Sequence, residues 1–304
     1  MLTPSQLSSA LEASFNEIPG ATNPENLYGY IRRSKPAPAT LPGSIICLMA
    51  HQLFNYPDAN AFAVAKAVFC IMHAGSIHDD VIASGQLQVE AMNYQTSTAV
   101  LAADVLWIKI FEYLNEVDES LKSELFTILS QLAKGYCETR QLQLQLRTGF
   151  AYGDIINFYK ESRKITFAFP GKCMQAGAIT SGTSVAQGIK LLELGTALGA
   201  AIYYKELSGA TVDDAIPGNQ FSAKEMELLM ISPGIYQELC GLKAGPFKHR
   251  KSGIEHLYRN HSLDDYLMNQ AKQAFTNAFN ILENVATTTQ RKIPLEMLLR
   301  SIAG

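Results

Sequence analysis

From Ser44 to about Val285, apolar residues recur at helical spacing, with few of the strict alternations that mark strands. The pattern predicts helices over 44–54, 58–82, 96–115, 119–147, 153–182, 185–214, 222–240, 263–286 and 294–302, preceded by a short amphipathic helix within residues 1–20. Breakers separate several of them: Pro19-Gly20, Tyr56-Pro57-Asp58, Gly85, Thr148-Gly149, Pro217-Gly218 and Pro233-Gly234. Residues 34–43, SKPAPATLPG, predict a loop. Pro170-Gly171 falls inside an apolar pattern, where a missing N–H and a ring clash should kink or break the helix. Helices apolar on most sides must lie at the centre of a bundle. No repeat, low-complexity tract or linker divides the chain, so one all-α domain over residues 1–304 is expected.

Composition narrows the function classes. The chain is 47% hydrophobic and 17% charged with a net charge of −3, too balanced for a nucleic-acid partner or an acidic tail. Its 5 cysteines are scattered, with no CxxC pair, which argues against structural zinc or a disulfide framework. The opening residues lack a basic stretch followed by an apolar core, so no secretory signal is expected. The apolar run Thr98 to Leu114 is interrupted by Asp104, Lys109 and Glu112, so no integral membrane segment is expected there. A cytoplasmic protein is the expectation.

Candidate chemistry begins at Met72-His-Ala-Gly-Ser-Ile-His-Asp-Asp-Val-Ile-Ala83. An apolar helix with small residues ends in His78-Asp79-Asp80. Adjacent carboxylates near a helix C-terminus oppose its dipole, at about 0.3–1 kcal/mol each when exposed. A divalent cation would compensate, and Mg²⁺ prefers carboxylate oxygen, water and substrate phosphate. A solvated helix end is the plain alternative.

Further landmarks follow in order. They are Ala102-Ala-Asp-Val-Leu106, then GYCETRQLQ with Glu138 and Gln141, then ESRKITFAF with Lys164, then Leu194-Gly195 and Leu198-Gly199-Ala-Ala-Ile-Tyr203. With Ser76-Ile-His-Asp-Asp-Val-Ile82, they make most of the chain resemble the trans-polyprenyl diphosphate synthase family. That resemblance implies the isoprenoid synthase helical bundle and prenyl diphosphate as substrate. It implies Mg²⁺ on Asp79, Asp80 and Glu206, and chemistry carried by Asp79, Asp80 and Lys164. It also implies a pocket formed with His78, Glu138, Gln141 and Tyr203.

The departures from the family pattern are many. Ala83 replaces the last acid of the first motif, and Gln88 and Val89 stand where arginines normally follow. Ala37 to Pro42 stand where a basic loop is usual, with Arg32, Arg33 and Lys35 out of register. Met72 takes the position of a histidine, and His73 is one residue off. The second acidic motif is reduced to Glu206 in Glu206-Leu207-Ser208-Gly209-Ala210, with Asp213 or Asp214 as a possible replacement. Two diphosphates need many charges to hold them and to let one leave. The isopentenyl site is therefore expected to be lost and the metal site halved.

Three functions fit these losses. The first is a non-catalytic or regulatory subunit of a heteromeric prenyl diphosphate synthase, a homodimer or heterodimer joined through helices near 96–147. The second is a Mg²⁺-dependent enzyme ionising a single prenyl diphosphate, as a terpene cyclase or a prenyl transferase to another acceptor. In that case aromatic residues such as Phe167, Tyr203 and Tyr204 could face the cation, with packing the plainer reading for all but Tyr203. The third is a non-catalytic prenyl-lipid binding protein. The histidines have no metal-binding spacing, and Lys248-His249-Arg250-Lys251 reads as a solvated loop, with a phosphate-facing flap as the minority alternative.

Overall fold

Twelve α-helices account for nearly all the residues that the computed structural model describes, which are 2–15, 31, 43–87, 94–212 and 218–303. They are α1 (Pro4–Phe15), α2 (Gly43–Gln52), α3 (Ala59–Leu87), α4 (Tyr94–Asn115), α5 (Glu119–Leu144) and α6 (Tyr152–Thr180). Then come α7 (Val185–Gly209), α8 (Ala223–Ile231), α9 (Tyr236–Ala244), α10 (Phe247–Asn260), α11 (Leu263–Glu283) and α12 (Thr289–Ala303). Among the described residues there is no strand, only the isolated bridges Arg147–Gln220 and Thr148–Phe150.

The larger core is built by α1 to α7 with α11 and α12, through side chains such as Leu48, Ile71, Leu106, Leu125 and Met174. A second core gathers the first half of α6 and the end of α7 against α8 to α11, through Ile155, Tyr159, Met226, Leu257 and Leu267. Helices α6 and α7 pass through both cores and pack along each other. Their approach depends on glycine. A Cβ at Gly195 would lie 2.5 Å from the Gly171 Cα and 2.6 Å from the Pro170 carbonyl oxygen, and one at Gly199 would lie 2.5 Å from the Phe167 oxygen. The two backbones touch because these positions carry no side chain.

Several boundaries differ from expectation. Helix α3 continues through Gly85 to Leu87, so Asp79 and Asp80 lie about two turns inside the helix and not at its end. The dipole penalty is confined to the last turn and does not apply to them. Helix α6 runs unbroken past Pro170, and α12 includes Pro294. The segment 222–240 is not one helix: α8 stops at Ile231, and a 3₁₀ turn at Pro233–Ile235 leads into α9. The basic run 248–251 is not a loop. It opens α10, whose buried residues Arg250, Ile254, Leu257 and Tyr258 keep helical spacing beneath the charges. By length and composition, Ala59–Ile82 and Val185–Gly209 could each cross a bilayer; the first is 67% and the second 44% buried inside the bundle.

Candidate active site

Consecutive residues on a helix point about 100° apart, and His78, Asp79 and Asp80 accordingly diverge. His78 turns to α4, where its ring meets Trp107 edge-on at 6.4 Å and its Nε2 is buried without a hydrogen bond among the described residues. Asp80 is exposed and has no partner among the described residues. Asp79 turns to α5 and meets an arginine that the sequence reading passed over.

That contact repeats along both helices. The Tyr136 ring occupies the space a side chain at Gly75 would fill, and its hydroxyl donates to the Gly75 carbonyl at 2.6 Å. Four residues further along each helix, Arg140 donates Nε to Asp79 Oδ1 and pairs Nη2 with Oδ2. Its Nη1 donates to Gln143 Oε1 at 2.7 Å. Burial would lower the Arg140 pKa, but the hydrogen bond and charge of Asp79 outweigh it and hold the guanidinium charged. Burial first, and then the hydrogen bond and negative charge of Asp79, keep Tyr136 a neutral phenol.

The expected pocket residues on α5 lie elsewhere. Glu138 is exposed and pairs with Lys134 at 3.4 Å, and Gln141 is exposed. Glu138 is about 200° around the helix from both Tyr136 and Arg140, so it cannot share their face. On α6, Lys164 is exposed, and its neighbour Arg163 turns inward instead. Arg163 Nη1 donates to Glu227 Oε1 at 2.7 Å, and its guanidinium lies over the rings of Tyr159 and Phe167. The Tyr159 hydroxyl donates to the same oxygen at 2.6 Å and meets the Tyr203 hydroxyl at 2.5 Å. Tyr203 stands edge-on to Phe167 and Tyr204. Burial is the main cause that keeps Tyr159 and Tyr203 protonated. These side chains form one cluster whose cation is supplied by the protein, with Glu227 Oε2 buried without a hydrogen bond among the described residues.

The third expected metal ligand, Glu206, is exposed near the end of α7, and partial desolvation pushes its carboxyl above the usual range. Among the described residues no group of three His, Cys, Asp or Glu side chains is placed to hold a metal ion. The residues present do not fit the magnesium cluster the sequence suggested, because both oxygens of Asp79 are engaged by Arg140 and Asp80 is left as a lone carboxylate. Asp213 and Asp214 lie outside the described residues, as do Arg32, Arg33, Lys35, residues 37–42, Gln88 and Val89.

Arg140, Arg163 and Glu227 were all missed, yet two of them leave a trace. The buried stripe Leu125, Ile128, Leu129, Leu132, Gly135 on α5 extends at helical spacing to Tyr136, Arg140 and Gln143, not to Glu138 or Gln141. On α6, Ile155, Ile156, Tyr159 and Ser162 likewise point to Arg163 and away from Lys164.

No family model and no curated protein matches the chain. Solved structures do. A geranylgeranyl pyrophosphate synthase is similar with a TM-score of 0.82 and 16% identity, covering 100% of this chain and 99% of that one. A heptaprenyl diphosphate synthase from Staphylococcus aureus gives 0.77 and 14%, over 99% and 98% of the two chains. A geranylgeranyl pyrophosphate synthase from Corynebacterium glutamicum, complexed with calcium and isoprenyl diphosphate, gives 0.73 and 16%, over 98% and 93%. The chain has the all-helical fold of the polyprenyl diphosphate synthases, as its motifs led us to expect.

Proposed function

We propose that this protein is a non-catalytic subunit of polyprenyl-synthase fold that works beside a catalytic chain of the same fold. The carrying observation is the Arg140 fork on Asp79, which puts a fixed cation where the resemblance calls for a magnesium ion. A guanidinium neutralises the carboxylate but offers no open coordination position for a leaving diphosphate. Glu206, the only acid of the second motif, is exposed and has no cation partner among the described residues. The rival reading, an enzyme ionising a single prenyl diphosphate, needs aromatic faces open to a carbocation. Phe167, Tyr203 and Tyr204 are instead packed on one another around Arg163.

A partner surface supports the subunit reading. Leu101, Ile108 and Phe111 on α4 are exposed at near-heptad spacing, and Phe126 of α5 extends the patch, its ring 6.2 Å from that of Phe111. Large apolar side chains gathered on one outer face mark a contact surface. The occupant is a second copy or a catalytic homologue.

The test is incubation of the purified chain with Mg²⁺ and prenyl diphosphates of several lengths, with and without isopentenyl diphosphate. We expect neither elongated product nor pyrophosphate release from the chain alone, and altered output from a catalytic homologue when the chain is added. Turnover by the chain alone would overturn the proposal. Replacing Ile108 and Phe111 with glutamate should abolish both the effect on the homologue and any dimer seen by light scattering.

A further inference from the structure

Two of the scattered cysteines are brought together by the fold. Helices α2 and α6 touch backbone to backbone, since a Cβ on Gly177 would lie 1.9 Å from the Cys47 carbonyl oxygen. One helical turn before that contact stand Gly43 on α2 and Cys173 on α6. A Cβ on Gly43 would lie 2.8 Å from Cys173 Sγ and 3.1 Å from Met72 Sδ of α3. The space a side chain would take there is filled by two sulfur atoms. The Gly43 N–H also donates to Met72 Sδ at 3.0 Å. Cys47 is four residues further along α2 and shares the face of Gly43; helical side chains lean toward the N-terminus, which tips its thiol toward the same space. Burial is the main cause that keeps Cys173 a neutral thiol, and the next is Cys47, as expected of two thiols near each other.

Three sulfur atoms from three helices thus gather over Gly43. Buried sulfur commonly does no more than fill space. Here two thiols and a thioether converge, and Cys47 and Cys173 are both 0% exposed. Thiolate and thioether donors select soft ions such as Cu(I), whereas magnesium and calcium take oxygen. The apolar surroundings favour an ion of single charge for a second reason. When Cu(I) bonds to one cysteine it replaces the thiol proton, which leaves to the buffer, and the centre stays uncharged. The other thiol and the Met72 thioether are neutral donors.

We infer that Cys47, Cys173 and Met72 form a binding site for a soft monovalent metal ion, Cu(I), between α2, α3 and α6. The inference does not rest on the subunit reading, and it would survive if the chain proved catalytic.

The test is anaerobic titration of the reduced full-length protein with Cu(I) held by bicinchoninate, whose colour reports the copper it retains. We expect the chain to take up a single equivalent and to gain an ultraviolet band from copper bonded to thiolate. Cys47→Ser and Cys173→Ser should each weaken uptake by roughly tenfold or more. Cys137→Ser removes an exposed thiol and should leave uptake unchanged. Met72→Leu keeps the side-chain volume and removes only the thioether. It should weaken uptake while holding the thermal midpoint near that of the parent, and it serves if the serine variants do not fold. Absence of uptake, uptake of equal strength in Cys47→Ser, Cys173→Ser and Met72→Leu, or uptake lost in Cys137→Ser overturns the inference.

Discussion

Arg140 sets Nε and Nη2 of its guanidinium on the two carboxylate oxygens of Asp79, one helical turn from the point where Tyr136 caps Gly75. The spacing is the same on α3 and α5, from Gly75 to Asp79 and from Tyr136 to Arg140, so the two contacts stay in register. The result is an Asp79-Asp80 pair, with Ala83 where the resembled motif has a third acid, in which both oxygens of Asp79 are engaged by a guanidinium. The sequence retains Asp79-Asp80, and the partner that neutralises Asp79 comes from a helix far along the chain.

The first prediction concerns that pair. Its side chains are 40% and 29% exposed, so solvent screens the interaction, and Arg140→Met should cost about 1 kcal/mol in urea unfolding. The same substitution takes the guanidinium off both oxygens of Asp79, beside the exposed Asp80. Manganese, used as a paramagnetic stand-in for magnesium, should bind Arg140→Met more tightly than the parent chain. Equal binding to the two proteins would show that Arg140 does not block the site.

Most of the bundle was legible because apolar periodicity over long helices is a strong signal, and because Gly195 and Gly199 mark the contact of α6 with α7. The site was less legible, and the reason is specific. Near its end α5 carries polar residues in every direction, and a motif alignment placed the pocket on Glu138 and Gln141. The continuing buried stripe places Tyr136 and Arg140 inward instead. Helix α10 was hidden by its charges: Lys248, His249, Arg250 and Lys251 stand in a row between Gly245-Pro246 and Gly253, and the buried Ile254, Leu257 and Tyr258 come only after them. Glu227 gave no warning, since a buried glutamate inside an apolar helix is defined only by the arginine that reaches it.

Two glycines of α7 should respond in opposite ways to alanine. At Gly195 a methyl group would press on the backbone of Gly171 and Pro170, which cannot yield without moving α6. We expect a loss of about 1–3 kcal/mol or more. At Gly188 nothing lies within 4 Å of the added carbon, and alanine should stabilise the helix by about 0.5–1 kcal/mol. Denaturant midpoints of the two variants test both signs, and a shared sign would refute the packing described for α7.

A pH dependence follows from His51. It is fully buried, with Nδ1 2.9 Å from Thr180 Oγ1 and Nε2 3.0 Å from the Tyr56 oxygen. Burial, the largest cause, lowers its pKa below the ordinary 6.5. The unfolded chain therefore binds the proton more readily than the folded one, and stability rises with pH across this window. The contribution is complete above 6.5 and is lost as pH falls from there through the folded value. Urea midpoints between pH 7.5 and pH 5 should fall for the parent, and His51→Asn should flatten the part of that slope which this group supplies.

The buried pair of Arg163 and Glu227 sets the last prediction. Glu227 is 0% exposed, and its Oε1 accepts from Arg163 and Tyr159 while Oε2 has no hydrogen bond among the described residues. Arg163→Met leaves that carboxylate buried with one donor, and breaking a buried pair from one side costs about 3–5 kcal/mol. Removing both charges together, as Arg163→Met with Glu227→Leu, leaves no orphan and should recover most of the loss, because desolvation of two ions is avoided. Tyr159→Phe removes a single donor and should cost about 1 kcal/mol. If the double variant is as unstable as the single one, the cluster is held by the shape of its side chains and not by its charges, and an aromatic pocket emptied of Arg163 would become the better account of this end of the bundle.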